Sequence, residues 1–392
     1  MRLTRATPPL LKDLNRRTVL NAIRDGAPIS RAEISRRVGI SKPTVSQALE
    51  SLREAGLVRE AADDPGGPSY GAVFFEPVPE AALVLGLDLG ARFLRGALCD
   101  LLGVVRARQD VELAGADASA VLDTFVSLRD SLVEGTGLSE QLIDTAVVGV
   151  PAVVETATGV VGLTTVAGLD GMHFGDAVAE RLGVSVIVDN DTNLAAVGER
   201  WRGVARGMDD FVFLSVGTGL GAGLVLGGEV HRGHNGAAGE VDLVSAGSGD
   251  GDIDPCAGAL SDVAHRLAET HDGPTTLAPP YEPREVFGAA RAGDELAQRI
   301  VEEEARRIAL HVVPIAAVAD VALVVLGGGL GTNGDLLLEP VRERLAEWLP
   351  YPPRVEVSSL GEAAVLTGAL AVGRRAALDN VFQNRAAAAT TV

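Results

Sequence analysis

A run of polar residues, Asp189-Asn190-Asp191-Thr192-Asn193, lies between two apolar stretches and could do chemistry. Residues 184–188 predict a buried strand, and residues 194–201 predict a helix. Side chains at the end of such a strand could hold sugar hydroxyls, and Asp191 could accept a proton from one of them. The same run also suits an Asx turn that caps the helix, so both interpretations stay open at this point.

Glycine-containing turns end three other apolar stretches. They are Asp88-Leu89-Gly90, Gly217-Thr218-Gly219-Leu220-Gly221-Ala222-Gly223 and Gly327-Gly328-Gly329, which we call the first, second and third glycine turns. Because glycine has no side chain, its backbone amide can approach a phosphate or a sugar closely. One such turn could be an ordinary β-turn, whereas three at strand ends favour an ancestral nucleotide cleft between two lobes. The candidate phosphate-binding residues are Asp88, Gly90, Gly217, Thr218, Gly219 and Gly221.

Polar side chains near the N-terminus have the chemistry of nucleic-acid recognition. Gln47 could form two hydrogen bonds to adenine, and Lys42 could contact guanine or a phosphate. Arg31 and Arg36 suit phosphate contacts, which position a protein on DNA without reading its sequence. The candidate DNA-binding residues are Arg31, Arg36, Ser41, Lys42, Thr44 and Gln47.

The elements that would present these side chains have the pattern of a helix–turn–helix. A helix is predicted over residues 10–24, and Ser30-Arg31-Ala32-Glu33 matches a capping box that starts a second, short helix. Gly39-Ile40 forms a tight turn, and Ser41 would cap a third helix over residues 42–55. Two short helices joined in this way place the polar face of the second one in the major groove.

Two short strands follow the three helices and predict a wing. Residues 57–60 and 72–75 are the strands, and the turn-rich residues 63–68 join them. A three-helix module for protein–protein contact is the alternative, and the strands argue against it. The predicted domains are a winged helix–turn–helix head (residues 1–76), a linker (77–81), a large body (82–377) and a disordered tail (378–392).

The body has the pattern of an α/β protein with two related lobes. Its predicted strands cover residues 82–88, 92–98, 211–216, 224–226 and 321–326. Its predicted helices cover residues 116–134, 177–182 and 294–318. A strand–turn–strand start therefore occurs twice, with helices between, which indicates two lobes of the same kind.

Charge is distributed unevenly between head and body. Residues 1–60 contain 12 Lys or Arg against 6 Asp or Glu, whereas the rest contains 22 against 47. A basic head on an acidic body suits a reader of double-stranded DNA, although an ordinary basic helical surface has the same composition. The absence of a long apolar stretch and the two cysteines, Cys99 and Cys256, favour a cytoplasmic protein without a membrane span.

Taken together, residues 10–377 resemble the ROK family of repressors and sugar kinases, which have an actin/hexokinase-like fold. The segment His231–Glu240 is similar to the family signature that precedes its zinc site. The other matching segments are Asp189–Asn193, the second glycine turn, and Leu326–Leu330 with Asn333-Gly334. The resemblance implies that Asn190, Asp191 and Glu240 bind the effector sugar and that Asp191 occupies the position of the catalytic aspartate.

Departures from the family pattern are equally informative. Ala91 and Arg92 stand where the family has a small residue and a phosphate-holding threonine, and Leu243 replaces a histidine. Cys256 is the only thiol in the expected zinc loop, and one cysteine cannot form a tetrahedral site. Ser261 and Gly168 stand near the positions of a sugar-binding glutamate and asparagine. We therefore expect no zinc, no other cofactor and vestigial phosphate-binding turns; His231, His234 and His265 do not have the ligand spacing of the family.

Three functions fit these residues. The resemblance to the repressor branch favours a DNA-binding transcriptional repressor of carbohydrate-related genes, a homodimer or dimer of dimers that responds to a sugar or sugar phosphate. Asp191, together with the unaltered second glycine turn, favours an active ATP-dependent sugar kinase with an accessory head. A regulator whose body has lost sugar sensing is the third interpretation. Arg92, Leu243 and the missing cysteines argue against the kinase.

Overall fold

A computed structural model describes residues 8–62, 72–90, 92–113, 118–164, 166–246 and 253–388. The helices are α1 (Pro8–Gly26), α2 (Arg31–Val38), α3 (Lys42–Glu54), α4 (Ala118–Thr136), α5 (Phe174–Leu182), α6 (Asp191–Arg202), α7 (Leu243–Ala246), α8 (Ala257–Glu269), α9 (Pro283–Arg291), α10 (Glu295–Ala319), α11 (Gly328–Gly331), α12 (Gly334–Trp348) and α13 (Ala364–Ala388). The strands are β1 (Ile29–Ser30), β2 (Val58–Glu60), β3 (Phe74–Pro77), β4 (Leu83–Leu89), β5 (Phe93–Asp100), β6 (Val105–Glu112), β7 (Ile143–Val150), β8 (Val153–Val154), β9 (Val161–Gly162), β10 (Ser185–Asn190), β11 (Phe211–Val216), β12 (Leu220–Leu226), β13 (Glu229–Val230), β14 (Leu323–Gly327) and β15 (Arg354–Val357).

Local capping signals set the helices of the head as predicted. The Ser30 hydroxyl accepts a hydrogen bond from the Glu33 amide at 3.3 Å, and Ser41 accepts one from the Thr44 amide at 3.4 Å. Gly39 ends α2 in the left-handed region, with φ of 68°, where glycine is favoured. The Glu33 carboxylate pairs with Arg36 and does not complete the capping box.

The wing contains one strand more than the sequence predicts. The sheet order is β1-β3-β2, with β3 antiparallel to both neighbours. The strand predicted at residues 72–75 begins later, at Phe74, and ends at Pro77, inside the segment assigned to the linker. A short 3₁₀ turn over Pro79–Ala81 completes the connection to the body. The predicted turn at residues 63–68 lies outside the described residues.

Two five-stranded sheets of the same kind form the body. Their strand orders are β10-β7-β4-β5-β6 and β13-β12-β11-β14-β15. In each sheet, three strands are parallel and the other two are added by antiparallel pairing. The two-lobed α/β architecture predicted from the repeated strand–turn–strand start is therefore confirmed.

Helices α6 and α13 pack against each other at very close range. An ideal Cβ at Gly368 would lie 1.7 Å from the carbonyl oxygen of Leu194, and one at Gly198 would lie 2.3 Å from that of Ala364. On its other side, α6 meets β12 of the second sheet: a Cβ at Gly223 would lie 2.3 Å from the Thr192 carbonyl oxygen. Helix α6 thus joins the second lobe to α13, which packs on β4 and β7 of the first sheet.

The predicted disordered tail is wrong for residues 378–388, because α13 continues to Ala388. Its turn at residues 379–381 is held by tertiary contacts: Asp379 pairs with Arg17 of the head, and the Asn380 amide donates to Asp144 at 2.9 Å. Val381 is only 4 % exposed. These contacts extend the helix beyond the predicted end of the body at residue 377, whereas residues 389–392 lie outside the described chain.

Head and body share one apolar core. It contains Val19 and Ile23 of α1, Val84 of β4, and Leu370 and Val381 of α13. Burial of such side chains is the main favourable term in folding, so the head is held against the body by more than the connection at residues 77–81. Within the described ranges, no helix is long and apolar enough to cross a membrane.

Candidate DNA interface and ligand cleft

The predicted base-reading residues lie on the outer face of α3. Lys42 and Gln47 are exposed, whereas Val45 and Leu49 on the other face are buried in the core of the head. This division follows from the helical period, because residues three or four apart share one face. Gln47 is therefore free to meet a partner.

A groove of about 480 Å³ lies between α3 and the wing. Its lining includes Arg31, Lys42, Ser46, Glu50 and Arg53. The Arg31 guanidinium donates to the Ser46 hydroxyl at 3.1 Å, so the two helices of the motif meet at its wall. Ser46 and Arg53 were absent from the predicted set, although the helical period already places them on the outer face of α3.

The remaining predicted head residues have roles within the fold. The Ser41 hydroxyl caps α3 and lies 2.8 Å from the hydroxyl of Thr44. Arg36 is exposed and forms an ion pair with Glu33. Ser41 and Thr44 therefore position the start of α3, and a contact with DNA would be additional to that role.

In the body, Asn190 is the N-cap of α6. Its side-chain oxygen accepts from the amides of Thr192 at 2.9 Å and Asn193 at 3.1 Å, and its side-chain nitrogen donates to the Ala152 carbonyl at 3.1 Å. The capping interpretation of the polar run is thus confirmed for Asn190. Its oxygen also accepts from the Thr192 hydroxyl, so the predicted contact with an effector would use the second N–H of the side-chain amide.

Three of the predicted residues form a cluster of carboxylates: Asp88 at the end of β4, Asp191 at the start of α6, and Glu240. Burial, together with the negative charges of Asp88 and Glu240, raises the pKa of Asp191 to about 7. Burial also raises the pKa of Asp88 to about 6, against the opposing effect of Arg95. The pKa of Glu240 is raised by burial and by Asp242. A carboxylate that titrates near neutral pH is suited to accept a proton.

Arg95 lies against the first glycine turn. Its Nη1 is 3.5 Å from Asp88 Oδ2, and its Nη2 is 3.1 Å from Glu362 Oε2. The register of β4 and β5 places Arg95 opposite Asp88, and a Cβ built on Gly90 would lie 3.6 Å from its Nη1. A protein cation therefore balances Asp88. Sequence analysis missed this residue, because the signal is a pairing between strands.

The second and third glycine turns meet. A Cβ at Gly217 would lie 3.4 Å from the Gly329 amide nitrogen, and Thr218 and Gly219 are exposed beside them. By contrast, a Cβ at Gly221 would lie 3.1 Å from the side chain of Thr192, so this glycine allows α6 to pack closely on β12. Of the predicted phosphate residues in this turn, Gly217, Thr218 and Gly219 are the ones that face open space or the third turn.

The signature segment is fixed to β10 by an ion pair. Arg232 Nη2 donates to Asp189 Oδ2 at 2.5 Å, and the Asp189 side chain is only 6 % exposed. Gly239 has φ of 103°, and a Cβ there would lie 1.8 Å from the Ala222 carbonyl oxygen. These contacts explain why the segment needs a basic residue and glycine, and they bring Glu240 to the cleft.

The described residues do not fit a zinc site. Leu243 lies in α7 and is 58 % exposed, and Cys256 is the N-cap residue of α8. No group of three or more His, Cys, Asp or Glu residues in the described ranges is arranged to hold a metal ion; residues 247–252 are outside those ranges. The Ser261 hydroxyl donates to the Tyr281 carbonyl at 3.2 Å, and the ring of His265 packs on that of Tyr281.

A winged helix–turn–helix head on two lobes of kinase-like topology defines a class of regulators built on a sugar-kinase fold. Comparison with known proteins agrees. The model of the ROK family matches residues 84–376, and a model described as winged helix-turn-helix DNA-binding matches residues 12–59. The chain belongs to the ROK family.

Both repressors and kinases are among its relatives. The xylose repressor of Caldicellulosiruptor bescii is 26% identical over 385 residues, which cover 93% of this chain and 96% of that protein. A crystal structure of a ROK family transcriptional regulator, a homologue of the E. coli Mlc protein, has a TM-score of 0.77 at 22% identity and covers 96% of this chain and 98% of its own. The ROK glucokinase of Streptomyces griseus, in complex with glucose and AMPPNP, has a TM-score of 0.64 at 26% identity. The match covers 75% of this chain and 100% of the glucokinase chain. The xylose repressor and the transcriptional regulator thus match head and body, whereas the glucokinase matches the body.

Proposed function

We propose that this protein is a transcriptional repressor whose affinity for operator DNA is set by a sugar or sugar phosphate bound in the cleft. The observation that carries the proposal is the exposed polar groove of the head, in a chain that matches a xylose repressor over nearly its whole length. In this proposal, Gln47 and Lys42 contact bases, and Arg31 contacts phosphate. Asp191 and Glu240 bind the sugar.

A path for the ligand signal runs through α6. Asp191 begins this helix, which packs on α13 through Gly198 and Gly368. Helix α13 in turn pairs with α1 of the head through Asp379 and Arg17. A ligand can use this path only if it binds one arrangement of the lobes more tightly than another. In a homodimer, which we propose on the basis of the family, such a change would alter the spacing of the two heads on DNA.

The experiment measures operator binding and sugar binding on the same full-length protein. Fluorescence anisotropy with the DNA upstream of its own gene would be recorded without sugar and with xylose, glucose and their phosphates. We expect one of these ligands to change the operator affinity by about tenfold and to raise the melting temperature, because a ligand of the folded state stabilises it.

Two variants separate the two sites. Glu240→Gln should lose the response to sugar and keep the operator affinity, whereas Gln47→Ala should keep the thermal shift with sugar and lose base preference. If none of the sugars changed the melting temperature, the result would favour the third interpretation, a regulator whose body has lost sugar sensing. If the wild-type protein bound DNA without sequence preference, the proposal of a transcriptional repressor would be contradicted.

A sugar kinase is the second candidate, because Asp191 has a pKa near 7 and Thr218 and Gly219 of the second glycine turn are open. The ion pair of Arg95 with Asp88 and the absence of threonine at the first turn argue against it. A coupled assay of ATP consumption over hexoses and xylose would decide. Turnover that Asp191→Asn abolishes would establish the kinase.

Consistent with a role in sensing, we propose that the protein needs no zinc or other cofactor.

A further inference from the structure

Two arginines pack on the ring of Trp201 where the head touches the body, and a third, Arg24, lies close enough to Arg374 for their charges to interact. Arg24 lies in the last turns of α1, Arg202 ends α6, and Arg374 lies in α13. The guanidinium carbon of Arg202 is 4.0 Å from the centroid of the Trp201 ring, and that of Arg374 is 5.2 Å from it. Trp201 itself packs against the apolar core that head and body share. We call these residues the arginine cluster.

The cluster has no carboxylate partner within the described chain. Arg24 Nη1 donates to the Asn21 side chain at 3.4 Å, and Arg202 Nη2 donates to the Gly103 carbonyl at 2.7 Å; both acceptors are neutral. The Nε atoms of Arg24 and Arg374 are buried without a partner. A buried cationic donor without a hydrogen bond is costly.

Neighbouring arginines on the same helices are different. Arg17 of α1 pairs with Asp379, and Arg375, the residue after Arg374, pairs with Glu229 at 3.3 Å. Asp25 and Asp100 lie near the cluster, yet within the described chain neither forms an ion pair with one of its arginines. The lack of a paired counter-charge is therefore local to the cluster.

The charges within the cluster repel one another. Burial lowers the pKa of Arg374, and the charges of Arg24 and Arg202 lower it further, although the nearby Cys99 and Asp100 oppose them. Burial also lowers the pKa of Arg24, with Asp25 acting against it. Asp100 is already used, because its carboxylate accepts from Arg106 Nε at 2.8 Å and from two backbone amides.

We propose that the arginine cluster binds a multivalent oxyanion, either inorganic phosphate or the phosphoryl group of a small metabolite, between head and body. Guanidinium groups suit this ligand, because their planar donors match phosphate oxygens in pairs. Arg24 belongs to the head, whereas Arg202 and Arg374 belong to the body. The bound anion therefore links the two and favours one orientation of the head, so it changes operator affinity independently of the sugar in the cleft.

Thermal unfolding of the full chain, without DNA or sugar, tests the proposal. Inorganic phosphate is titrated from 0 to about 10 mM against sodium chloride of equal ionic strength, and glucose 6-phosphate is titrated in a second arm with the Glu240→Gln protein. We expect a rise in melting temperature of about 2 °C or more. The arm with the larger rise at equal concentration identifies the source of the phosphoryl group.

Matched variants show whether the rise comes from the cluster. Arg374→Gln and Arg24→Gln should abolish it, and each should melt at or above the wild-type temperature without phosphate because repulsion is removed. Arg375→Gln, next in the chain but outside the cluster, should keep the full response. An equal rise in Arg374→Gln, no rise in the wild type, or a response that appears only when DNA is added would overturn the proposal.

Discussion

The groove of the head and the cleft of the body use polar side chains in opposite ways. In the described chain, the side chains of Lys42 and Gln47 have no hydrogen bond or ion pair to the protein, and both are exposed. In the cleft, Asn190 caps a helix and Asp88 pairs with Arg95. Lys42 and Gln47 are thus free to meet a partner, whereas Asn190 and Asp88 already bond to the protein.

This difference bears on how each region responds to a ligand. The free side chains of Lys42 and Gln47 can contact DNA without rearranging the fold. A ligand in the cleft has to exchange some existing bonds for its own, and those bonds hold the start of α6. Binding in the cleft is therefore coupled to the position of a helix that both lobes contact, which is the property that a sensor needs.

The largest expected effect comes from breaking the link between cleft and head at Gly368. In Gly368→Ala the new methyl group would meet the Leu194 carbonyl, so α6 and α13 must move apart. We expect the free energy of unfolding to fall by about 3 kcal/mol or more, measured by urea unfolding.

Gly288→Ala is the matched control for this substitution. Gly288 lies inside α9 with no atom within 4 Å of a new Cβ, so alanine should stabilise the protein by up to about 1 kcal/mol. If the two substitutions changed the free energy of unfolding equally, the contact between α6 and α13 would not hold the cleft to the head.

A smaller effect of opposite sign is expected at Asp191. Its pKa is raised to about 7 in the folded protein, so the fold favours the neutral form and loses stability as the pH rises from about 4 to about 7. Asp191→Asn is neutral at every pH. We expect it to raise the free energy of unfolding by about 2 kcal/mol at pH 8, and by less as the pH falls below 7.

Urea unfolding at pH 8, 6.5 and 5.5 would measure this dependence. Asp189→Asn is the control, because Asp189 accepts from Arg232 and its neutralisation should destabilise the protein at pH 8. If Asp191→Asn gave the same change in stability at all three pH values, Asp191 would not titrate in this range and the electrostatic contrast with the head would be lost.

The smallest effects are expected on the exposed surface of the head, where Gln47 is free and Arg31 donates to the Ser46 hydroxyl. Gln47→Ala should reduce discrimination at one base pair by about 1 kcal/mol or somewhat more and leave stability unchanged. Arg31→Ala should weaken binding to all sequences about equally and reduce the slope of log affinity against log salt by about 1. Anisotropy with operator variants at several salt concentrations would measure both. An operator preference that Gln47→Ala leaves intact would show that α3 does not read bases through this residue.

Much of the fold could be predicted from the sequence because its signals are local. The caps at Ser30 and Ser41, the glycine at residue 39 and the helical period of α3 were enough to define the head. The apolar strands with glycine turns were enough to define two lobes. Strand β1 escaped prediction, because two residues carry no periodic pattern and depend on their pairing with β3.

The candidate sites were predicted less completely. Asp191 and Glu240, which the resemblance gives as effector-binding residues, come together with Asp88 of the first glycine turn. Asn190 caps α6 and Gly221 allows close packing on Thr192, while their roles in binding a ligand stay predictions. Arg95 had no sequence signal, because its partner Glu362 is 267 residues away.

The sequence by itself determined the elements, their order and the face that each helix presents, because caps, turns and periodicity act over a few residues. The tertiary structure alone decided which charges meet. It placed Arg95 beside Glu362, extended α13 beyond residue 377 by packing Val381, and brought Arg24 of the head to Arg374 of the body. These contacts join residues far apart in the chain, so they exist only after the sheets and helices have packed.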